Sequence, residues 1–313
     1  MTEGRLPRIA VLLPCYNEEA AIGGVVQGFA AALPGAAIYV YDNNSRDKTM
    51  AVAREAGAIV RSEPRQGKGN VVRRMFADID ADIYVLADGD GTYDAQSAPG
   101  MVSRLIAEGL DLVSGRRVPK SETASRAGHD FGNFVLTRLT EVLFGAQVGD
   151  MLTGYRVMSR RFVKSLPFTA QGFAIETELV VHAIRLMVPM TSLDTPYFQR
   201  AAGTQSKLRT FRDGFVILGT ILTLVREERP LAFFSFWFAV LVALSIGLGI
   251  PVVAEFFRTG LVPRLPTAVL AMGLMLLGFL SLGCGLILDT VSRGRWELKR
   301  LAYLALPGIQ ARH

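Results

Sequence analysis

Cysteine is nearly absent from these 313 residues: Cys15 and Cys284 lie in segments of opposite character, so no disulfide framework is implied and a reducing compartment fits. Histidine is almost as scarce, and His129 and His182 have no partner motif, which makes them structural residues. No apolar stretch with a basic flank and a cleavage site opens the chain, since Met1 to Arg8 leads directly into the short apolar run Ile9 to Leu13. The N-terminal part is therefore expected to stay in the cytosol. A Walker phosphate loop is missing, because Gln66-Gly67-Lys68-Gly69-Asn70 lacks the required glycine spacing and the Ser or Thr after lysine. An EF-hand is excluded as well: counted from Asp88, its glycine would be Tyr93 and its closing glutamate Pro99. Internal repeats and low-complexity linkers are also missing.

The formal charge is +6 and the pI about 9.5. The basic residues cluster beside the apolar runs and around Arg116 rather than along one helix interleaved with aromatics. That distribution favours anionic lipid as a partner, and no nucleic acid is expected.

Apolar sequence is abundant, with a mean hydropathy of +0.31. Leu231 to Val253 and Leu265 to Leu288 carry no charge, and each is long enough to cross a hydrocarbon core of about 30 Å as a helix. With Ala254 to Arg264 between them they form a hairpin. Arg212, Arg226 and Arg229 precede the first span and Arg293, Arg295, Lys299 and Arg300 follow the second, against Arg258 and Arg264 in the connection, so both ends face inward. Phe211 to Arg226 spaces Phe215, Ile217, Leu218, Ile221, Leu222 and Val225 as an interfacial helix does. Small residues at Gly247, Gly249, Gly278, Gly283 and Gly285 let helices pack closely and leave a homo-oligomer open.

Upstream, Ile9 to Leu13, Ala37 to Tyr41, Ala58 to Val60, Ile83 to Ala87 and Leu110 to Val113 read as strands. Ala20 to Leu33, Lys48 to Ala56, Gly69 to Ile79 and Gln96 to Glu108 read as helices between them, which predicts right-handed βαβ units and a largely parallel sheet. Ile175 to Met187 is helix-like and Phe131 to Phe144 amphipathic. Such sheets bind ligands beyond the carboxyl ends of their strands. Polar motifs sit there: Pro14 to Glu19, Asp42 to Thr49, and Asp88 to Asp94. Asp88-Gly89-Asp90-Gly91 places two carboxylates at a strand end, a donor set suited to a hard cation such as Mg²⁺ or Mn²⁺.

Read in order, Pro14-Cys15-Tyr16-Asn17-Glu18, Asp42-Asn43-Asn44-Ser45-Arg46-Asp47-Lys48-Thr49, Gly67-Lys68-Gly69-Asn70 and Asp88-Gly89-Asp90 resemble family 2 glycosyltransferases with the GT-A fold. Ser114-Gly115-Arg116, Arg126, Gly154-Tyr155-Arg156, Gly172-Phe173 with Glu176 and Glu178, and Arg200 with Gly203, Ser206 and Lys207 resemble the polyprenyl-phosphate branch, which includes the dolichyl-phosphate mannose synthases. The resemblance covers roughly Arg8 to Asp213 and implies an α/β GT-A catalytic domain over residues 1–210; the apolar and charge pattern adds an interfacial helix over 211–230, a transmembrane hairpin over 231–288 and a basic tail over 289–313. Together they lead us to expect an integral protein of a bacterial inner membrane with its catalytic domain in the cytoplasm.

By the same resemblance, Pro14, Tyr16, Glu18, Asp42, Asn44 and Lys68 bind the nucleotide-sugar, Asp88 and Asp90 approach the diphosphate and a Mg²⁺ or Mn²⁺ ion, and Arg116 and Arg126 meet the acceptor phosphate. Arg200, Ser206 and Lys207 would lie over the diphosphate, and Glu176 and Glu178 would line the sugar pocket. Thr92 and Glu176 stand where mannose synthases often carry glutamine, so the sugar stays open. The reaction implied is one displacement with inversion, from a UDP- or GDP-sugar to a polyprenyl phosphate. A processive polysaccharide synthase should carry Gln-x-x-Arg-Trp before its spans; here Arg295-Trp296 follows the second span and Ser292 holds the glutamine place. A silent scaffold on the same fold would not need both Asp88 and Asp90.

Overall fold

The structure is a computed structural model, and it describes residues 6–119, 150, 153–166, 175–199, 223, 226 and 229–309. Its elements run β1 (Ile9–Cys15), α1 (Ile22–Ala32), β2 (Ala37–Asp42), α2 (Thr49–Glu55), β3 (Ile59–Ser62), α3 (Lys68–Asp78), β4 (Ile83–Leu86), α4 (Ala98–Ala107), β5 (Leu112–Pro119), β6 (Arg156–Ser159), α5 (Arg160–Lys164), α6 (Ile175–Leu186), β7 (Met190–Tyr197), α7 (Pro230–Thr259) and α8 (Leu265–Leu304). They form two compact units: one comprises Met1–Gly214 together with Lys299–His313, the other Phe215–Leu298.

In the larger unit a seven-stranded sheet has the order β3-β2-β1-β4-β6-β5-β7. β1 pairs in parallel with β2 and β4, and β2 with β3. β6 runs antiparallel to both β4 and β5, so β5 points the same way as β4, and β7 is parallel to β5. β4 is buried at every residue and β1 at all but its first, as expected of parallel strands covered on both faces. Val11, Leu13, Val85 and Val157 pack against Ile22, Val26 and Phe29 of α1 and Met101 and Leu105 of α4. The alternating elements expected through residue 113 are all present. β6 and β7 were not anticipated; β6 is four residues long, and β7 mixes polar residues with Pro196.

In the other unit, α7 and α8 span 30 and 40 residues with mean hydropathies of 2.3 and 2.2 in their most apolar windows, of which only 11% and 17% is buried. A core helix of a globular domain would be mostly covered; this pair is long and apolar enough to cross a membrane by length and composition. Ser245 donates to the Ala271 carbonyl at 2.6 Å and Ser281 to that of Phe234 at 3.0 Å. Gly278 and Gly285 are where the helices meet: a Cβ there would come within 3.3 Å of Val242 and 2.8 Å of Phe234, whereas Gly247, Gly249 and Gly283 face open space. Both helices outrun the expected spans. α7 passes Val253 to reach Thr259, and α8 continues beyond Leu288 through the segment expected to be a tail. The expected interfacial helix over 211–230 and the amphipathic stretch Phe131 to Phe144 lie outside the described residues, apart from isolated positions.

Candidate active site

The carboxyl ends of β1, β2 and β4 lie side by side, and the loops leaving them are laced together. Asn17 and Asn44 take left-handed backbone conformations, with φ of 55° and 65°, which asparagine tolerates better than most residues. Asn17 N donates to Ser45 Oγ and Arg46 N to Asn17 Oδ1, both at 2.8 Å. Glu18 N donates to Thr49 Oγ1 at 2.8 Å. These bonds fix Pro14 and Glu18, both buried, and half-buried Tyr16 in one wall.

Asp42 ends β2 at 2% exposure; its Oδ2 accepts from Ser45 N at 3.0 Å. Its Oδ1 is buried without a hydrogen-bond partner among the described residues. A buried acceptor oxygen left unmatched is costly, so this atom is set for a donor from outside the chain. Asn43 holds the next loop: its Nδ2 donates to the carbonyls of Glu63 at 2.9 Å and Arg65 at 2.8 Å, and its Oδ1 accepts from Gly67 N at 2.7 Å. Exposed Asn44 donates to the Pro64 carbonyl at 2.9 Å.

That loop delivers Lys68, the first residue of α3, to the centre of the site. Its Nζ lies 2.5 Å from Asp88 Oδ1 and 2.6 Å from Glu176 Oε1. Burial works against the ammonium, but the two carboxylates outweigh it and hold its pKa well above the ordinary lysine value. Gly89 brings the end of β4 against β1, because a Cβ there would lie 2.3 Å from Cys15 Sγ. Gly154 is closely surrounded as well: a Cβ would meet Asp88 Oδ2 at 2.8 Å and Lys68 Nζ at 3.1 Å. Asp90, 3% exposed, accepts from Thr92 Oγ1 at 2.7 Å and Thr92 N at 3.1 Å. Thr92 thus orients the second carboxylate.

A second layer lies behind. Gly154 N donates to Tyr93 Oη at 2.8 Å, and the Tyr93 ring packs on those of Tyr155 and Tyr197 at 5.3 and 5.4 Å. Arg156 is fully buried in β6; desolvation lowers its pKa to about 10, against the raising influence of Glu176 and Asp150. Glu178 sits half-buried in the first turn of α6.

Asp42, Lys68, Asp88 and Glu176 were anticipated, and the structure gathers the last three into one contact cluster. Arg116 is placed differently from its neighbour. It lies on the exposed side of β5 in a two-pronged pair with Asp194 at 2.5 and 2.8 Å. Arg117 turns the other way, bound to Asp150 at 2.7 and 2.9 Å with its guanidinium 5.6 Å from the Tyr197 ring. Sequence reasoning missed Arg117, although the alternation of strand side chains requires two successive arginines to take opposite faces. Arg126, Arg200, Ser206 and Lys207 lie outside the described residues.

The sequence model of glycosyl transferase family 2 matches residues 10–166, which spans β1 through the end of α5. The chain belongs to this family. Glycosyltransferase AglJ of Haloferax volcanii is 31% identical over 304 residues, covering 95% of this chain and 98% of the relative. Dolichyl-phosphate hexose transferase of the same organism is 34% identical over 230 residues, 73% of this chain and 99% of the relative. Among solved structures, glucosyl-3-phosphoglycerate synthase from Mycobacterium tuberculosis, in complex with Mn²⁺, UDP and glucosyl-3-phosphoglycerate, superposes with a TM-score of 0.57 at 26% identity, covering 70% of this chain and 79% of that one. The family 2 glycosyltransferase thus has a GT-A catalytic domain followed by two long apolar helices.

Proposed function

We propose that this family 2 enzyme transfers a hexose from a UDP- or GDP-sugar to a polyprenyl phosphate of undecaprenyl or dolichyl type, at the cytoplasmic face of a membrane crossed by α7 and α8. The observation that carries the reading is the strand-end cluster of Asp88, Lys68 and Glu176 beside Asp90 and the unmatched oxygen of Asp42. The likeness to the dolichyl-phosphate hexose transferase supports the acceptor, and the two exposed apolar helices support the membrane.

The residues fit a divalent metal. Asp88 and Asp90 would hold it through hard carboxylate oxygens; no cluster of three or more metal-ligating side chains occurs among the described residues. A solved relative holds Mn²⁺ together with UDP. Bound here between Asp88 and Asp90, Mg²⁺ or Mn²⁺ would supply positive charge for the departing diphosphate.

The chain's own groups do the rest. Asp42 Oδ1 accepts a hydrogen bond from the nucleoside, in the wall built by Pro14, Tyr16 and Glu18. Lys68 orients Asp88 and Glu176, and Glu176 with Glu178 faces the sugar. The acceptor, a phosphate monoester with a second pKa near 6, is largely dianionic at neutral pH and needs positioning more than a strong base. Arg116 and Arg126 are assigned that role, Arg116 by exchanging Asp194 for phosphate oxygens. Arg200, Ser206 and Lys207 are assigned to the diphosphate. One displacement inverts the anomeric centre. Screening UDP- and GDP-hexoses with the purified enzyme, a short polyprenyl phosphate and Mg²⁺ or Mn²⁺ tests the reading: one donor should yield a glycosylated lipid phosphate by mass, and no lipid product with any donor would overturn it.

A further inference from the structure

At the end of the sheet opposite the catalytic loops, Asp111 immediately precedes β5 and is fully buried. Its carboxylate accepts from Ser159 Oγ at 2.5 Å and from both Nε and Nη2 of Arg161 at 2.6 Å. Those residues lie at the end of β6 and the start of α5 and would satisfy it unaided. The further donor comes from the other end of the chain: Tyr303 Oη reaches Asp111 Oδ2 at 2.6 Å. The Arg161 guanidinium also lies over the Tyr303 ring, 4.7 Å from its centroid. Tyr303 is only 8% exposed, Gly308 comes so close that a Cβ would lie 2.6 Å from Arg161 Nη1, and Ile309 packs against the hydrophobic core. The segment is docked by a buried hydrogen bond, a stacked cation and apolar contact together.

The chain arrives there without leaving a helix. α8 starts in the apolar unit, which ends at Leu298, and its last residues belong to the catalytic unit together with Lys299–His313. At 1.5 Å per residue its 40 residues extend about 60 Å, roughly twice the hydrocarbon thickness of a bilayer. The chain therefore passes between the two units at two places, Gly214 to Phe215 and Leu298 to Lys299, and the second crossing leads into this docked end.

We propose that Lys299–Ile309 is an intramolecular clasp, and Tyr303 a positioning residue, that couples the membrane helix α8 to the catalytic unit so that transfer to a membrane-borne acceptor proceeds at full rate. The role rests on the acceptor reading above. A catalytic unit held at one point samples more orientations towards a lipid-anchored phosphate than one held at two, so a second attachment raises the fraction of encounters in reactive geometry. Tyr303 touches neither donor nor acceptor, so its loss acts on turnover and leaves donor binding as it was.

The test uses the full chain in lipid vesicles containing a short polyprenyl phosphate, as wild type, Tyr303→Ala and Tyr303→Phe. Hydrogen exchange over residues 301–309 should accelerate about tenfold in the alanine variant as the segment undocks. Its kcat for lipid transfer should fall about tenfold, while the Kd for the nucleotide-sugar stays at the wild-type value. Tyr303→Phe keeps the stacked ring and should recover most of the rate. Unchanged exchange in Tyr303→Ala overturns the docking. Faster exchange with unchanged kcat overturns the role, and so does a parallel loss of donor affinity, which would make the contact merely structural. A wild-type enzyme that ignores polyprenyl phosphate overturns the acceptor reading and the role with it, while the exchange result still decides the docking.

Discussion

Replacing Lys68 by methionine removes one charge, keeps most of the volume, and should expose how the candidate site is held together. The ammonium lies 2.5 Å from Asp88 and 2.6 Å from Glu176. At an effective dielectric of about 20, each contact carries a gross attraction of about 6 kcal/mol, largely offset by desolvation of several kcal/mol per ion. The net value of the pairs is therefore small, but removing one partner is expensive. The Glu176 side chain, 7% exposed, would lose its hydrogen-bonded cation and keep only the charge of Arg156, while that of Asp88, 27% exposed, keeps some water. Breaking a buried pair costs about 3–5 kcal/mol, and the exposure of Asp88 places this one near the lower figure. For a unit of this size that is a fall in melting temperature of roughly 6–12 °C. The pH dependence has a definite sign: Lys68 has a pKa raised above 10.5, so its contribution is fully present below that value and is lost only as pH rises through the folded value. Between pH 6 and 9 the wild-type minus Lys68→Met difference should stay flat. The assay is thermal unfolding of the detergent-solubilised protein, with Lys68→Met/Glu176→Gln as the second variant. Glutamine removes the stranded charge and should restore about half the loss. A single variant within about 1 °C of wild type, or a double variant whose losses simply add, would refute the reasoning.

Gly154→Ala should lower transfer by about tenfold or more, because the new methyl comes within 2.8 Å of Asp88 Oδ2 and must displace that carboxylate or Lys68; steady-state kinetics checks this, and wild-type rates would contradict it. Asp90→Asn, or excess EDTA on the wild-type enzyme, should abolish turnover while circular dichroism stays unchanged, since the change removes one hard ligand with little volume change. Desolvation, followed by the charge of Lys299, lowers the pKa of His182 from 6.5 to about 3. The unfolded chain then binds the extra proton between those values, so stability falls as pH drops below about 6.5, by about 2 kcal/mol at pH 5. Denaturant midpoints at pH 7.5 and pH 5 should show this difference in wild type and a smaller one in His182→Gln.

The parallel half of the fold was legible because each of its strands is a short apolar run followed by a helix with turn residues between, and the motif loops fall where such sheets place their ligands. β6 and β7 were not legible. Arg156 opens β6 with a buried charge, and Met190–Tyr197 alternates weakly and contains a proline, so neither shows the apolar pattern of a covered strand. Within the site, Asp88 and Lys68 could be read from motifs local in sequence. Arg117–Asp150 and Asp111–Arg161–Tyr303 could not, because their partners are separated by 33, 50 and 192 positions, and only the folded sheet brings them together. The length of α8 was hidden for a related reason. Charges at Asp289, Arg293 and Arg295 end a membrane span but do not end a helix, and Arg293 even pairs with Asp289 one turn before it.

The central claim is that the acceptor is a lipid phosphate, and acceptor competition tests it most directly. Purified enzyme in vesicles, supplied with its nucleotide-sugar, metal and equimolar polyprenyl phosphate, 3-phosphoglycerate and a soluble oligosaccharide, should place the labelled hexose on the polyprenyl phosphate alone, as read by mass spectrometry. Label on the phosphoglycerate or the oligosaccharide, with the polyprenyl phosphate unmodified, would contradict it.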